Sequence, residues 1–288
     1  MNPEQITLRI PAKINLSLDI TGRRADGYHT LRSVFQTVGV FDLLTLTRLR
    51  PDAPMKLFCD DPAVPCDERN LVWKAAVRLL GAQPCGIAMH LKKGIPSQAG
   101  MGGGSADCAA ALIGIRRLLR LPVSDEELHA HAAALGADVA FFLYGGTALA
   151  EGIGEKLTPL APMPERLLVM AKGSEGVSTP AAYRALDALE TPPAPHTDGV
   201  LLHYAAENPA ALFDAWGNDF DAVTDLPEVV KIREIMRGHG IRPVLSGSGA
   251  AVFGGCTSIQ QAEECAAALK DAGLPFVRVC RTLSDGIR

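Results

Sequence analysis

Four glycines stand in the five positions 100–104, inside the run Ile95-Pro96-Ser97-Gln98-Ala99-Gly100-Met101-Gly102-Gly103-Gly104-Ser105-Ala106-Asp107. Glycine gives up side-chain packing and costs chain entropy, so such a run implies that backbone must approach something closely. The residues before it alternate: Ile87, Met89 and Leu91 with Ala88, His90 and Lys92, as in a strand. Those after it repeat at helical spacing: Ala109, Ala110, Leu112, Ile113, Leu118 and Leu119, with Arg116, Arg117 and Arg120 in the last turns. A strand, a glycine loop and a helix start form an anion site, because free N–H groups and the helix dipole both point at the loop. Ser105 can cap that helix, or touch a phosphate or its metal. The loop lacks the Gly-Lys-Ser/Thr ending of a P-loop, and its spacing is not that of a dinucleotide-binding turn. Either it holds phosphate in a third way or it is an ordinary glycine-rich turn.

Four further features could join it. Lys13 lies among Ile10, Ala12, Ile14 and Leu16. It reads either as the solvated face of an edge strand or as a point charge for a transferring phosphoryl group. Asp138 is the lone carboxylate of the apolar stretch Leu135-Gly136-Ala137-Asp138-Val139-Ala140-Phe141-Phe142-Leu143. It is a helix N-cap or a general base for a substrate hydroxyl. In Arg24-Ala25-Asp26-Gly27-Tyr28-His29-Thr30 the Asp-Gly pair makes a turn. Its Tyr–His pair can also stack on and hydrogen-bond a base. Leu245-Ser246-Gly247-Ser248-Gly249-Ala250-Ala251 is a hairpin or a second glycine loop closing over a ligand.

The elements that must position these residues follow from periodicity. Residues 7–20 alternate as a strand, with Leu8 to Ile20 (even positions) on one face and Lys13, Asn15, Ser17 and Asp19 on the other. Strand is expected over 34–49 and helix over 70–80. Ser124 and Glu127 form a capping box for a helix that stops before Gly136. A strand over 147–157 leads out of the first half, and Pro159, Pro162 and Pro164 mark a boundary. Beyond it come a strand at 167–171, a helix at 180–189, a proline-rich loop at 191–199 and a helix at 228–239. Strand, turn and strand over 244–253, a helix at 258–272 and a strand at 276–280 complete the chain. Hairpins mixed with helices, without strict βαβ alternation, indicate α+β.

Composition bounds the function. A chain of 288 residues suggests two domains, here 1–158 and 159–288. A net charge of −4 speaks against a general binder of nucleic acid or membrane surfaces. Met1-Asn2-Pro3-Glu4-Gln5 has no signal-peptide pattern, and the most apolar stretch contains Asp138, so the chain reads as cytoplasmic. Seven cysteines, an odd count without Cys-x-x-Cys, argue for reduced thiols rather than disulfides or zinc. The histidines show no metal pattern; His129 and His131, two apart on a helical stretch, face different directions.

Taken together and in this order, the residues resemble the superfamily of galactokinase, homoserine kinase, mevalonate kinase and phosphomevalonate kinase (GHMP). Its three motifs match Pro11-Ala12-Lys13-Ile14-Asn15-Leu16, the run 96–107 and the segment 245–251. The Asp-Gly-Tyr-His element, Asn70-Leu71, Glu151-Gly152-Ile153-Gly154-Glu155 and Gly217-Asn218-Asp219 are similar to the branch that acts on a cytidine diphosphate conjugate of methylerythritol. The resemblance implies ATP-dependent phosphorylation of a small-molecule hydroxyl, with Mg2+ accompanying ATP. It implies that Asp138 is the base and Lys13 its electrostatic partner. The backbone of Gly100, Met101, Gly102, Gly103, Gly104 and Ser105 would wrap the ATP phosphates, with Asn70 and Leu71 beside the adenine or ribose and Pro96 also binding ATP. Asn15 would lie near the acceptor or its diphosphate. His29 would bond the cytosine, and Tyr28 and Tyr183 would stack on its two faces. The implied fold is a ribosomal-protein-S5-like amino-terminal domain followed by a ferredoxin-like carboxy-terminal domain, with no metal ligand set beyond the Ser105 hydroxyl as a candidate.

Overall fold

The computed structural model describes residues 4–81 and 86–288, so the first three residues and Cys85 lie outside the described residues. Strands β1 (Gln5–Arg23) and β2 (His29–Arg48) form one long antiparallel hairpin. The Asp26 carboxylate accepts the Tyr28 N–H at 3.2 Å in the turn between them, a local bond that Asp-Gly turns favour. β2 starts five positions before the alternation predicts. β3 (Lys56–Cys59), unforeseen because four residues carry too little periodicity, pairs in parallel with β4 (Ile87–Lys92). Helix α1 (Leu71–Leu80) lies between them in sequence.

Helices α2 (Gly103–Leu119), α3 (Asp125–Leu135) and α4 (Val139–Tyr144) follow. The Ser124–Glu127 capping box is present as expected, with N–H donors bonded at 3.1 and 2.8 Å. The single strand expected over 147–157 is instead a hairpin of β5 (Thr147–Glu151) and β6 (Lys156–Pro159). Gly152 and Gly154, both at positive φ, make its turn.

The second half runs β7 (Leu167–Lys172), α5 (Thr179–Asp187), α6 (Thr197–His203), α7 (Ala210–Ala215), β8 (Gly217–Asn218), a 3-10 turn (Asp219–Ala222) and α8 (Pro227–Gly238). It ends with β9 (Val244–Leu245), β10 (Val252–Cys256), α9 (Ile259–Asp271) and β11 (Phe276–Arg281). α6 begins inside the loop expected over 191–199. Its first N–H groups are held from a distance: the Asp19 carboxylate accepts from His196 and Thr197 at 2.8 and 2.9 Å. Local sequence carries no sign of such a cap.

Two sheets result. The first has the order β3-β4-β2-β1-β8, with β5 on β2 and β6 on β5; the second, β11-β7-β10-β9, is antiparallel throughout. β8 pairs in parallel with β1, placing Asn218 opposite Leu18. β8 covers β1 only at Ser17 and Leu18, and at Lys13 the N–H is taken by the Met101 carbonyl; the polar face is buried rather than solvated, with Lys13, Asn15, Ser17 and Asp19 all under 9% exposed. The edge-strand reading of Lys13 fails for this reason.

A register shift between Pro11 and Ala12 leaves Gly39 and Val40 of β2 without partners on β1. Before it, Leu8 and Ile10 pack with Leu44, Leu46 and the alanine-rich face of α2. After it, Ala12, Ile14 and Leu16 pack instead with Leu168, Met170, Trp216 and Phe253. Lys13 holds its ammonium over the Phe35 ring, which packs with the α2 cluster. A third cluster joins Val169 and Val252 of the second sheet to Ile232 of α8 and Leu269 of α9.

Candidate active site

The glycine loop joins β4 to α2, as the alternation and helical spacing predict. Gly102, at φ +71°, occupies the N-cap of α2, and no side chain caps the helix. Ser105 thus sits in the first helical turn, and its reading as the cap is corrected. The first N–H groups of a helix have no intrahelical acceptor, so this end faces the cleft with donors available. Gly102 is required by its surroundings: a Cβ there would lie 2.8 Å from the Phe142 ring and 3.1 Å from Lys13 Cγ. Pro96, Gly100, Gly102, Gly103, Gly104 and Ser105 line a cleft of about 380 Å³ with Asn70 and Leu71. The Met101 side chain is 1% exposed and packs in the core, so only its backbone meets the cleft; its carbonyl accepts the Lys13 N–H at 3.0 Å. Asn70 caps α1, accepting from Val72 N–H at 2.8 Å and donating to the Pro65 carbonyl at 2.7 Å.

Lys13 donates to Asn15 Oδ1 at 2.8 Å and holds its Nζ 3.5 Å from Asp138 Oδ2. Asp138 precedes α4, yet its side chain accepts no cap bond, which removes the capping alternative. Its side chain is 32% exposed, open to a ligand. The Asn15 amide is already bound on both sides: Nδ2 donates to Ser33 Oγ at 2.8 Å, and Oδ1 accepts from Lys13 and from Gly247 N–H at 2.9 Å.

The segment 245–251 takes the hairpin reading, since β9 and β10 pair antiparallel across it. It is the β9–β10 connection, and it lies on the glycine loop. Ser246 Oγ donates to the Gly100 carbonyl at 2.9 Å, and Ala250 and Ala251 donate to Gln98 and Ala99 carbonyls at 3.2 Å.

A second cleft of about 730 Å³ is lined by Tyr28, His29, Ala137 (the residue before Asp138), Ile153, Tyr183 and Asp187 among others. Tyr28 is 62% exposed at its rim. The His29 ring stacks on Tyr183 at 4.4 Å and 15°, and its Nε2 pairs with Asp187 Oδ1 at 2.7 Å. The bond from His29 holds the Asp187 carboxyl below the usual range. Burial pushes the Tyr183 hydroxyl up, and the charge of Asp138 adds to this.

Comparisons with known proteins show the family and the fold. The GHMP kinases N terminal domain matches residues 70–146, the span from α1 through the glycine loop to Asp138 and α4. A solved homoserine kinase from Cytophaga hutchinsonii, 19% identical, shares the fold at a TM-score of 0.76 over 100% of this chain and 98% of its own. The 4-diphosphocytidyl-2-C-methyl-D-erythritol kinase of Moorella thermoacetica is 41% identical over 285 residues, covering 96% of this chain and 99% of that one. The chain belongs to the 4-diphosphocytidyl-2-C-methyl-D-erythritol kinase family. A crystal structure of such a kinase, 33% identical, superposes with a TM-score of 0.79 over 96% of this chain and 99% of its own. The α+β architecture is thus the two-domain GHMP kinase fold.

Within this kinase, three groupings escaped sequence reasoning. Beneath the glycine loop the Lys93 ammonium lies between Asp42 and Asp107, 2.7 Å from the latter. Burial alone would lower the Lys93 ammonium, but the two carboxylates outweigh it and raise it. Burial, opposed by Lys93, pushes the Asp107 carboxyl up, and its Oδ1 has no hydrogen-bond partner. Asp187 follows Tyr183 by one helical turn, a spacing that could have flagged it. His196, read as part of no metal pattern, comes within 4.8 Å of Asp19 and Asp219. Those carboxylates hold backbone, Asp19 at the α6 start and Asp219 on Ile20 N–H at 2.6 Å. Six cysteines among the described residues are free, and burial pushes Cys108, packed behind the loop, up to about 12.

Proposed function

We propose that this chain transfers the γ-phosphoryl group of ATP to the C2 hydroxyl of 4-diphosphocytidyl-2-C-methyl-D-erythritol, a step of non-mevalonate isoprenoid precursor synthesis. ADP and the 2-phosphate are the products. The reading is carried by one observation: Lys13, which lies against Gly102 of the glycine loop, is 3.5 Å from Asp138, whose neighbour Ala137 lines the aromatic cleft. In it, Asp138 takes the hydroxyl proton as the oxygen attacks the γ-phosphorus and the bond to the β-phosphate breaks. Lys13 stabilises the charge on the moving phosphoryl group. Phosphoryl transfer needs mainly positioning and charge stabilisation, and these groups supply both.

ATP lies along the first cleft, its phosphates on the backbone from Gly100 to Ser105 and the α2 N-terminus, its adenosine toward Asn70, Leu71 and Pro96. The Ser105 hydroxyl, on the wall of the first cleft, is the hard oxygen donor that would hold Mg2+ together with the phosphates. When bound the ion would screen phosphate charge. The cytidine base enters the second cleft against Tyr28. His29 now covers the face of Tyr183, so a base sandwiched by both tyrosines requires the His29 ring to move aside and present its edge. Asn15, already bonded to Lys13 and Gly247, acts on the acceptor through Lys13.

The units 1–158 and 159–288 are the two domains of this reading, with β8 lent back to the first sheet. No helix among the described residues is long and apolar enough to cross a membrane. The working partner is a small molecule in the cytoplasm, not nucleic acid or membrane. A coupled assay of ADP release tests the reading against the cytidylyl acceptor, homoserine and mevalonate. Turnover with the first alone is expected, and turnover with either of the others instead would displace it.

A further inference from the structure

We propose that Asn218 is a positioning residue for the reaction: it sets Lys13 in place through the segment 245–247 and Asn15. Asn218 is 2% exposed and lines neither cleft. It sits on β8, opposite Leu18 of β1. Its single amide nitrogen donates to two carbonyls of one tight turn, Leu245 and Gly247, each at 2.8 Å. Its Oδ1 accepts the Phe220 N–H at 3.0 Å and so caps the 3-10 turn. One planar group therefore ties the first sheet to the third motif.

The turn it holds is tight and aimed. Gly247 is at φ +55°, where a side chain would be strained, and a Cβ there would lie 3.1 Å from Gly100. Its N–H donates to Asn15 Oδ1 at 2.9 Å. The same oxygen accepts from Lys13 Nζ at 2.8 Å. Two donors on one oxygen hold each other's direction, so the place of the Gly247 N–H fixes the Asn15 amide and hence the ammonium. The Lys13 ammonium also faces the Phe35 ring at 4.6 Å and Asp138 at 3.5 Å, but its directional hydrogen bond, the shortest of these contacts, goes to Asn15. If the turn drifts, the ammonium drifts with it. Misplacement of about 1 Å at a reacting centre can cost on the order of 100-fold.

The inference rests on the assignment of Lys13 and Asp138 to phosphoryl transfer. That assignment is tested separately by wild-type turnover of the cytidylyl acceptor and its loss in Asp138→Asn, and it stands or falls whatever Asn218 does. The test of Asn218 is Asn218→Asp, which retains the oxygen that caps Phe220 and removes the two donors. Its kcat should fall by roughly 10–100-fold, with both KM values changed less than about 2-fold, the signature of a transition-state effect. The decisive arm is a double-mutant cycle. If Asn218 acts through Asn15, the pair Asn218→Asp with Asn15→Ala should be no slower than Asn15→Ala alone, because both break one chain of contacts. Multiplied losses, an unchanged kcat, or a raised KM with kcat intact would overturn it. Should Asn218→Asp not fold, the small neutral Asn218→Ser is read by the same criteria. Failure of both to fold would overturn the proposal in favour of a purely structural cap.

Discussion

Gly100 and Ser246, 146 positions apart, lie main chain against main chain. The Ser246 hydroxyl donates to the Gly100 carbonyl at 2.9 Å. A Cβ on Gly100 would overlap the Ser246 carbonyl oxygen and sit 2.7 Å from its carbon, and φ is +70°. The glycine loop is thus glycine here because another loop leans on it, not only because a ligand must approach.

Gly100→Ala should therefore destabilise the protein by about 1–3 kcal/mol, the range of overpacking, and weaken ATP binding as the two loops part. Gly104→Ala is its counterpart. The nearest atom to a Cβ there is Leu71 Cδ1 at 4.0 Å, so its melting temperature should match wild type while the methyl intrudes on the cleft. Thermal melts and nucleotide calorimetry on both check this. Equal melting temperatures would show that the loops are not packed as described.

Asp138→Asn should lower the melt only slightly, because the Asp138 side chain caps nothing, is 32% exposed, and loses only a 3.5 Å ion pair with Lys13, which keeps its bond to Asn15. Turnover should fall by ~10²–10⁴-fold, the usual contribution of a general base. Steady-state kinetics on the folded variant measure it; wild-type turnover would remove Asp138 from the role.

Stacking on a base is worth roughly 1–3 kcal/mol by alanine substitution, or about 10–100-fold in affinity. Tyr28→Ala should weaken CDP binding by that much and leave ATP affinity alone, while Tyr28→Phe is mild because the ring remains. Tyr183→Ala should also weaken CDP binding, and it frees His29, which now rests on that ring at 4.4 Å. Calorimetric titration of CDP distinguishes the cases. Equal binding by Tyr28→Ala would take the base out of this cleft.

Lys93 holds two buried carboxylates, and its loss should be severe. Breaking a buried pair by removing one partner costs about 3–5 kcal/mol, so Lys93→Met should melt far below wild type. The pH dependence has a definite sign. Asp107 is raised by burial in the folded state. A raised carboxyl binds its proton more tightly folded than unfolded, so its stabilisation is complete below the ordinary carboxylate value and is lost as pH rises through the folded value. Without Lys93 that loss is larger. Melts of both proteins from about pH 5 to about pH 8 should diverge as pH rises. A constant gap would show that Asp107 does not carry the effect, and Asp107→Asn in the Lys93→Met background should narrow it.

Much of the site was legible in the chain. The glycine run opens α2 at the place its flanking periodicities demand, Ser124 and Glu127 make their capping box, and Lys13 and Asp138 stand out as charges in apolar runs. Each of these signals is local: a turn, a cap or an alternation is set by neighbours within a few residues. β3, β8 and α6 left no such signal. Two or four residues carry no measurable period, and α6 is capped by Asp19, 177 positions away.

The sequence by itself determined which chemical groups are present and which short elements carry them: a glycine loop before a helix, one lysine, one carboxylate and a Tyr–His pair after a turn. Tertiary structure alone decided their directions. The glycine loop takes the Lys13 N–H, Phe35 and Asp138 flank the Lys13 ammonium, and β8 covers β1 at Ser17 and Leu18. The α5 helix sets Tyr183 and Asp187 against His29, and Asn218 grips the turn that leans on Gly100. Those decisions belong to contacts between residues distant in the chain. They depend on how buried surfaces and unmet hydrogen-bonding groups are satisfied together, which no local window of sequence contains.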